Sequence, residues 1–393
     1  MKHSLRIFLC CQQDLRPHPL PAYRFWTEYF RQALAEAGHI CLEAPACDWA
    51  EGLLPLDPAP LAAWRARTWS QAVQWIRAEQ ARQPVDIFLS YLFPGQVLSP
   101  AIAEIRALGI PCVNFFCDNV REFRKIPSEF HNFDLHWVPE FKALPLYRHA
   151  GLPVLHAPMP CWVPPRWRAP VSVSEETFPP GFVGTRDLQR EQLFSAAFAQ
   201  GLALELRGTG WFEPPPSAAQ SSPRADLAIR LDRQAEFIRA QGWMAFARKC
   251  LPGSNPRPMP DANFVVYVRP SPAGDDYWRV LRGSTVCVGV NRYLSLRFPF
   301  NRPDTYSRLR DIEAPMAGAC YLTEWTEGLD ELYDLGTEIE TYRTATELAV
   351  KVAELAADPH RRGRLRAAGQ RRALTQHSIA RTIERIASRL NLT

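Results

Sequence analysis

Four prolines fall within ten residues, Pro158-Met-Pro-Cys-Trp-Val-Pro-Pro-Arg-Trp167, near the middle of this chain. Proline fixes φ and lacks the backbone N–H, so this segment can be neither an uninterrupted helix nor a central strand. It reads as a connector. It divides 393 residues into two stretches, each long enough for a core of its own.

Before the connector, short apolar runs alternate with amphipathic stretches. Residues 5–11, 39–44, 85–91, 111–117, 135–139 and 153–157 predict strands, and 23–37, 61–80 and 100–108 predict helices, with Gly38 and Gly109 as stops and Ser99 as a cap. After it, strands are expected at 177–184, 202–207, 285–290 and 319–323. Helices are expected at 187–200, 307–317 and 346–357, then one opening on Pro359 behind Asp358, and a last one behind Ser378. Strand–helix alternation implies parallel sheets with helices on both faces. The expected fold class is therefore α/β with two Rossmann-like domains facing each other across a cleft. The expected divisions are 1–160, a linker 161–176, a second domain 177–377 with an insertion at about 213–274, and a C-terminal helix 378–393 returning to the first domain.

Composition excludes several classes. A net charge of +5 is too small and too dispersed for a nucleic-acid-binding chain. Ten cysteines include no C-x-x-C pair and none at metal-ligand spacing from histidine, so buried reduced thiols and no metal site are expected. No apolar stretch is long enough to cross a membrane. These features fit a cytoplasmic protein, with peripheral contact at the inner face of a membrane left open, and they leave the oligomeric state undecided.

The residues just past expected strands are the candidates for chemistry. Gly184, Thr185 and Arg186 end one strand, with Arg190 one turn later, and suit a phosphate at a helix N-terminus. Gly208, Thr209, Gly210 and Trp211 end the next, with Trp211 as a stacking surface for a base or sugar. Arg308, Arg310 and Glu313 supply cationic forks for phosphate and a carboxylate for ribose hydroxyls. In the first half Asp118, His136 and Glu140 lie at or near strand ends, where they could act as base or contact the acceptor. Each has a structural alternative: Asp118 as a helix cap, His136 as a core histidine, Arg186 and Arg190 as solvated surface charges.

The second-half pattern, Phe182-Val-Gly184, Gly208-Thr-Gly-Trp211, Tyr277 through Ser284 and above all Arg310-Asp-Ile-Glu-Ala-Pro-Met-Ala-Gly318 with Tyr321-Leu-Thr323, resembles the GT-B glycosyltransferases, closest to the spore-maturation (CgeB-like) branch of the group-1 type. That resemblance implies a bacterial enzyme of glycan or cell-envelope biosynthesis. It would carry out a retaining, metal-independent transfer, without a cofactor, from a nucleotide-diphosphate sugar to a glycan, lipid-linked or protein acceptor. It casts Glu313 as the ribose acceptor and Arg310, aided by Arg186 or Arg308, as the group that neutralises the leaving diphosphate. Group-1 relatives carry two glutamates with seven residues between them. Glu313 matches the second, and Thr305, beside Asp304, stands at the first. Two alternatives are a non-catalytic nucleotide-sugar-binding or assembly protein and a nucleotide-sugar epimerase.

Overall fold

The computed structural model describes residues 4–19, 24–211, 234–235, 237–239, 241–250, 262–299 and 302–392. The chain forms two compact units. One comprises residues 1–119, 125–162 and 376–393, and the other residues 120–124 and 163–375.

The first unit is built on a six-stranded, all-parallel sheet in the order β2-β1-β3-β4-β5-β6. Its strands are β1 (Arg6–Cys10), β2 (Ile40–Leu42), β3 (Ile87–Tyr91), β4 (Cys112–Phe115), β5 (Leu135–Val138) and β6 (Val154–His156). β1, β3, β4 and β5 are buried along their whole length, as expected for parallel strands covered on both faces. Helices Arg24–Glu36, Pro58–Arg82, Ser99–Ala107 and Leu144–His149 connect them. Ser99 is the first residue of its helix and not its cap. Leu98 takes the cap position without a side-chain bond, and Pro100 fills the first turn, where its missing N–H costs nothing. The C-terminal helix Ile379–Arg389 is capped by Ser378, buries Ile379, Ile383 and Ile386, and packs on Arg24–Glu36 of the same unit.

The second unit repeats the plan with the order β14-β13-β10-β7-β8-β9. Its strands are β7 (Gly181–Val183), β8 (Glu205–Arg207), β9 (Val268–Arg269), β10 (Cys287–Gly289), β13 (Tyr321–Glu324) and β14 (Glu340–Tyr342), again all parallel. A separate antiparallel pair joins β11 (Arg292–Tyr293) to β12 (Asp304–Thr305). Phe182, Leu206, Val288 and Leu322 from four strands form one core with Phe194, Leu348 and Leu365 from the helices. Each such buried side chain contributes about 1.5–3 kcal/mol.

Two strands of the second unit's six-stranded sheet depart from expectation. β14 is a strand of only three residues, Glu340-Thr-Tyr342, too short to stand out in sequence. β9 lies inside the expected insertion 213–274 and supplies the sheet with its edge strand. The proline-rich start of that insertion, 214–223, lies outside the described residues. Trp243–Cys250 is a helix there, with Trp243 and Met244 exposed. Among the described residues no helix is long and apolar enough to cross a membrane.

Candidate active site

The strand order of the second unit reverses between β7 and β10. β8 and β9 extend the sheet on one side, and β13 and β14 on the other. Loops leaving the carboxyl ends of β7 and β10 therefore diverge, and open α/β sheets bind ligands in the crevice this creates.

Three arginines converge there. Arg190, in the first turn of the helix Leu188–Phe198, donates from Nη1 to the Thr185 carbonyl at 2.6 Å and lies over the Phe182 ring. Asp187 positions it by accepting from the Arg190 backbone N–H at 2.9 Å, an N-cap bond. Arg310, the first residue of the helix Arg310–Met316, reaches the Val183 carbonyl at 3.2 Å, at the very end of β7. Arg308 reaches the Arg292 carbonyl beyond β10 at 3.4 Å. Burial, together with the neighbouring Arg308 and Arg310, holds the Arg190 guanidinium below its ordinary pKa, with Asp187 opposing. Like charges so crowded favour an anion. Arg310 Nη1 has no hydrogen-bond partner among the described residues.

Glu313 follows Arg310 by one helical turn and is buried. Its Oε2 accepts from the Tyr277 hydroxyl and lies 3.6 Å from Arg310 Nε. Tyr277 comes from the helix Asp275–Gly283, and its ring lies beneath the Arg310 guanidinium, 5.0 Å from centroid to carbon. Asp311 anchors the helix Arg310–Met316 to β13. Its carboxylate accepts from Tyr321 and Thr323 at 2.8 Å each and from Asn291 at 2.9 Å, and burial raises its pKa against these bonds.

The glycine positions work through close backbone approach. Gly208 has φ +134°, and a Cβ there would lie 2.2 Å from the Gly184 carbonyl oxygen. The two turns are further joined by Arg186 N–H donating to the Thr209 carbonyl at 2.9 Å and by a Thr209–Thr185 hydroxyl bond at 3.1 Å. Gly210 has φ +84°. Thr185 and Thr209 stand exposed at the rim of this double turn.

Other candidates have different places. Trp211 is not a stacking surface: it is 3% exposed, lies in the core with Phe182 and Phe194, and donates from Nε1 to the Gly184 carbonyl at 2.8 Å. Arg186 is buried and forks onto Glu191 at 3.0 and 3.1 Å, so its charge is matched locally. Thr305 lies on β12, and its hydroxyl donates to that of Thr326 at 3.0 Å, while Asp304 accepts from Tyr293.

In the first unit His136 is not at a strand end facing ligand. It is fully buried in β5 among Phe130, Phe133 and Tyr147, and neither ring nitrogen has a normal hydrogen-bond partner among the described residues. Glu140 is also fully buried, where it accepts from the Asn119 backbone N–H at 2.8 Å and so shapes the chain after β4. Asp118 remains half-exposed next to that turn. Sequence reasoning assigned no role to Tyr277, Asp311 or Asn291. The alternation of Asp311 and Glu313 around Ile312 was the available signal, since one carboxylate must face the sheet if the other faces the ligand.

Residues 190–388, just over half of the chain, match the sequence profile of a family described as glycosyl transferase-like. Comparison with curated proteins gives no significant match. Among solved structures the fold is similar to that of a sucrose-phosphate synthase from Thermosynechococcus elongatus, with TM-score 0.58 and 15% identity over 99% of this chain and 100% of that one. It is similar to a glycosyltransferase from Rickettsia africae, with TM-score 0.53 and 9% identity over 98% and 97%. It is also similar to HepE from Anabaena in complex with UDP-glucose, with TM-score 0.52 and 11% identity over 100% of both chains. At these identities the likeness is one of fold, two parallel-sheet α/β domains of the GT-B type.

Proposed function

This chain belongs to the glycosyl transferase-like family and is a glycosyltransferase, and we propose that its donor is a nucleoside-diphosphate sugar held by Arg190, Arg308, Arg310 and Glu313. The observation that carries the reading is the convergence of three guanidinium groups at the β7–β10 reversal, one helical turn from a buried carboxylate. Guanidinium forks match phosphate oxygens, and a carboxylate accepts from ribose hydroxyls.

Transfer breaks the bond between the anomeric carbon and the diphosphate, whose oxygen keeps the electron pair. The acceptor hydroxyl oxygen forms the new bond to that carbon, and its proton passes to the departing phosphate. Charge grows on the diphosphate as the bond breaks, and preformed cations stabilise that state most. Metal independence is part of the proposal, with the arginines in the neutralising role. So are retention of configuration, an acceptor that is a glycan, a lipid-linked sugar or a protein, and membership of the CgeB-like branch, which the Arg310–Thr323 block favours.

Thr305 supports a second reading. Its hydroxyl stands where a sugar-contacting carboxylate was expected, which would suit donor binding without turnover. One experiment separates them. UDP, the nucleotide bound by the Anabaena neighbour, is titrated calorimetrically, and UDP release from a panel of UDP-sugars is then followed with and without envelope extracts and EDTA. Acceptor-dependent release that survives EDTA is expected. Binding without release supports the second reading. Affinity for UDP and other nucleoside diphosphates unchanged by Glu313→Ala and Arg310→Ala rejects the donor site.

A further inference from the structure

We infer that Tyr277 keeps Arg310 and Glu313 from closing into a direct hydrogen-bonded pair, so that the guanidinium keeps a donor for phosphate and the carboxylate keeps its orientation toward ribose. The inference rests on the donor-site reading above and assigns a positioning residue to it.

The geometry is a three-way competition. Tyr277 Oη donates to Oε2 of Glu313, the same oxygen that faces Arg310 Nε at 3.6 Å. That separation is too long for a hydrogen-bonded salt bridge, which closes at about 2.7–2.9 Å. The Arg310 guanidinium instead lies over the Tyr277 ring and donates from Nη2 to the Val183 carbonyl. Its Nη1 is left without a hydrogen-bond partner among the described residues. One tyrosine thus satisfies the carboxylate with its hydroxyl and holds the cation with its ring face. Burial keeps the phenol protonated, helped by the nearby Glu313 carboxylate and opposed by Arg310, so it remains a donor. Tyr277 is itself fixed by its helix and by edge-on contact with Trp278 at 5.1 Å.

Removing the hydroxyl should let Arg310 close onto the vacated Oε2. A closed Arg–Glu pair leaves fewer guanidinium N–H groups for a diphosphate. Loss of one charge-assisted bond corresponds to roughly a tenfold effect or more.

The test is a double-mutant cycle read with two probes, UDP and inorganic pyrophosphate, on the full chain, with thermal midpoints recorded for every variant. Tyr277→Phe should weaken both probes about tenfold while the midpoint stays near that of the parent. Adding Glu313→Ala to Tyr277→Phe should restore pyrophosphate binding, because no carboxylate remains for Arg310 to pair with, while UDP stays weak for want of its ribose contact. Failure of Glu313→Ala to restore pyrophosphate binding, or equal losses from Tyr277→Phe in both backgrounds, overturns the inference. Indifference of both probes to Arg310→Ala overturns the donor-site reading itself, which keeps the two failures distinct.

Discussion

Arg310 donates from Nη2 to the carbonyl oxygen of Val183 at 3.2 Å, tying the first residue of the site helix to the last residue of β7. The tie fixes the guanidinium at the strand reversal, where a lysine would keep the charge but lose the fork. Arg310→Lys should therefore lower kcat/KM for the nucleotide sugar by about a hundredfold or more, comparable to losing one preorganised donor to a developing anion. Steady-state nucleotide release measures this, and a loss below about twofold would show that charge alone suffices.

Gly208 offers a backbone test of the same crevice. At φ +134°, with a Cβ position 2.2 Å from the Gly184 carbonyl oxygen, an alanine can be accommodated only by separating the two turns. Backbone strain of this kind costs about 1–3 kcal/mol, and the movement carries Thr185 and Arg190 with it. Gly208→Ala should lower the urea midpoint and raise KM for donor together. Gly201→Ala, at φ +84° but with open space around it, should affect stability alone.

The repeated strand–helix rhythm was legible because parallel strands covered on both faces are mostly apolar runs, as at residues 85–91 and 285–290. β9 and β14 were not, since two or three residues carry no period. The Arg308–Glu313 cluster was legible as a pairing of charge types close in sequence. Its neighbours were not: whether Trp211 stacks on a ligand or fills the core depends on Phe182 and Phe194 approaching it from other elements. The same holds for His136, whose surroundings come from Phe130, Phe133 and Tyr147. A residue type names a capability, and only the packing decides which capability is used.

Glu176 accepts from Arg362 at 2.7 Å and from Arg366 at 3.0 Å, and all three side chains are at least nine-tenths buried. Arg366 also donates to the carbonyls of Ser284 and Gly318, so the helix Pro359–Gln376 is pinned to the segments preceding β10 and β13. Glu176→Ala leaves two buried guanidiniums without their counter-charge and should destabilise the fold by about 3–5 kcal/mol. Glu176→Ala combined with Arg366→Met should recover part of that loss in urea denaturation. A simple sum of the two single effects would mean that the groups are not coupled.

His136 makes stability depend on acid. Burial pushes its pKa down to about 3, with the Phe130 backbone only partly opposing, whereas the unfolded chain titrates near the ordinary value of about 6.5. Between those limits the unfolded state holds a proton that the folded state refuses, so the free energy of unfolding falls as pH falls. The full contribution is present above about pH 6.5 and is lost at about 1.4 kcal/mol per unit below it, roughly 2–3 kcal/mol by pH 4.5. His136→Phe keeps an aromatic ring among Phe130, Phe133 and Tyr147 and removes the titration. Its urea midpoint should decline less between pH 7 and 4.5 than that of the parent, the carboxylates contributing equally to both. Parallel declines would mean that the histidine already reaches a proton in the folded state.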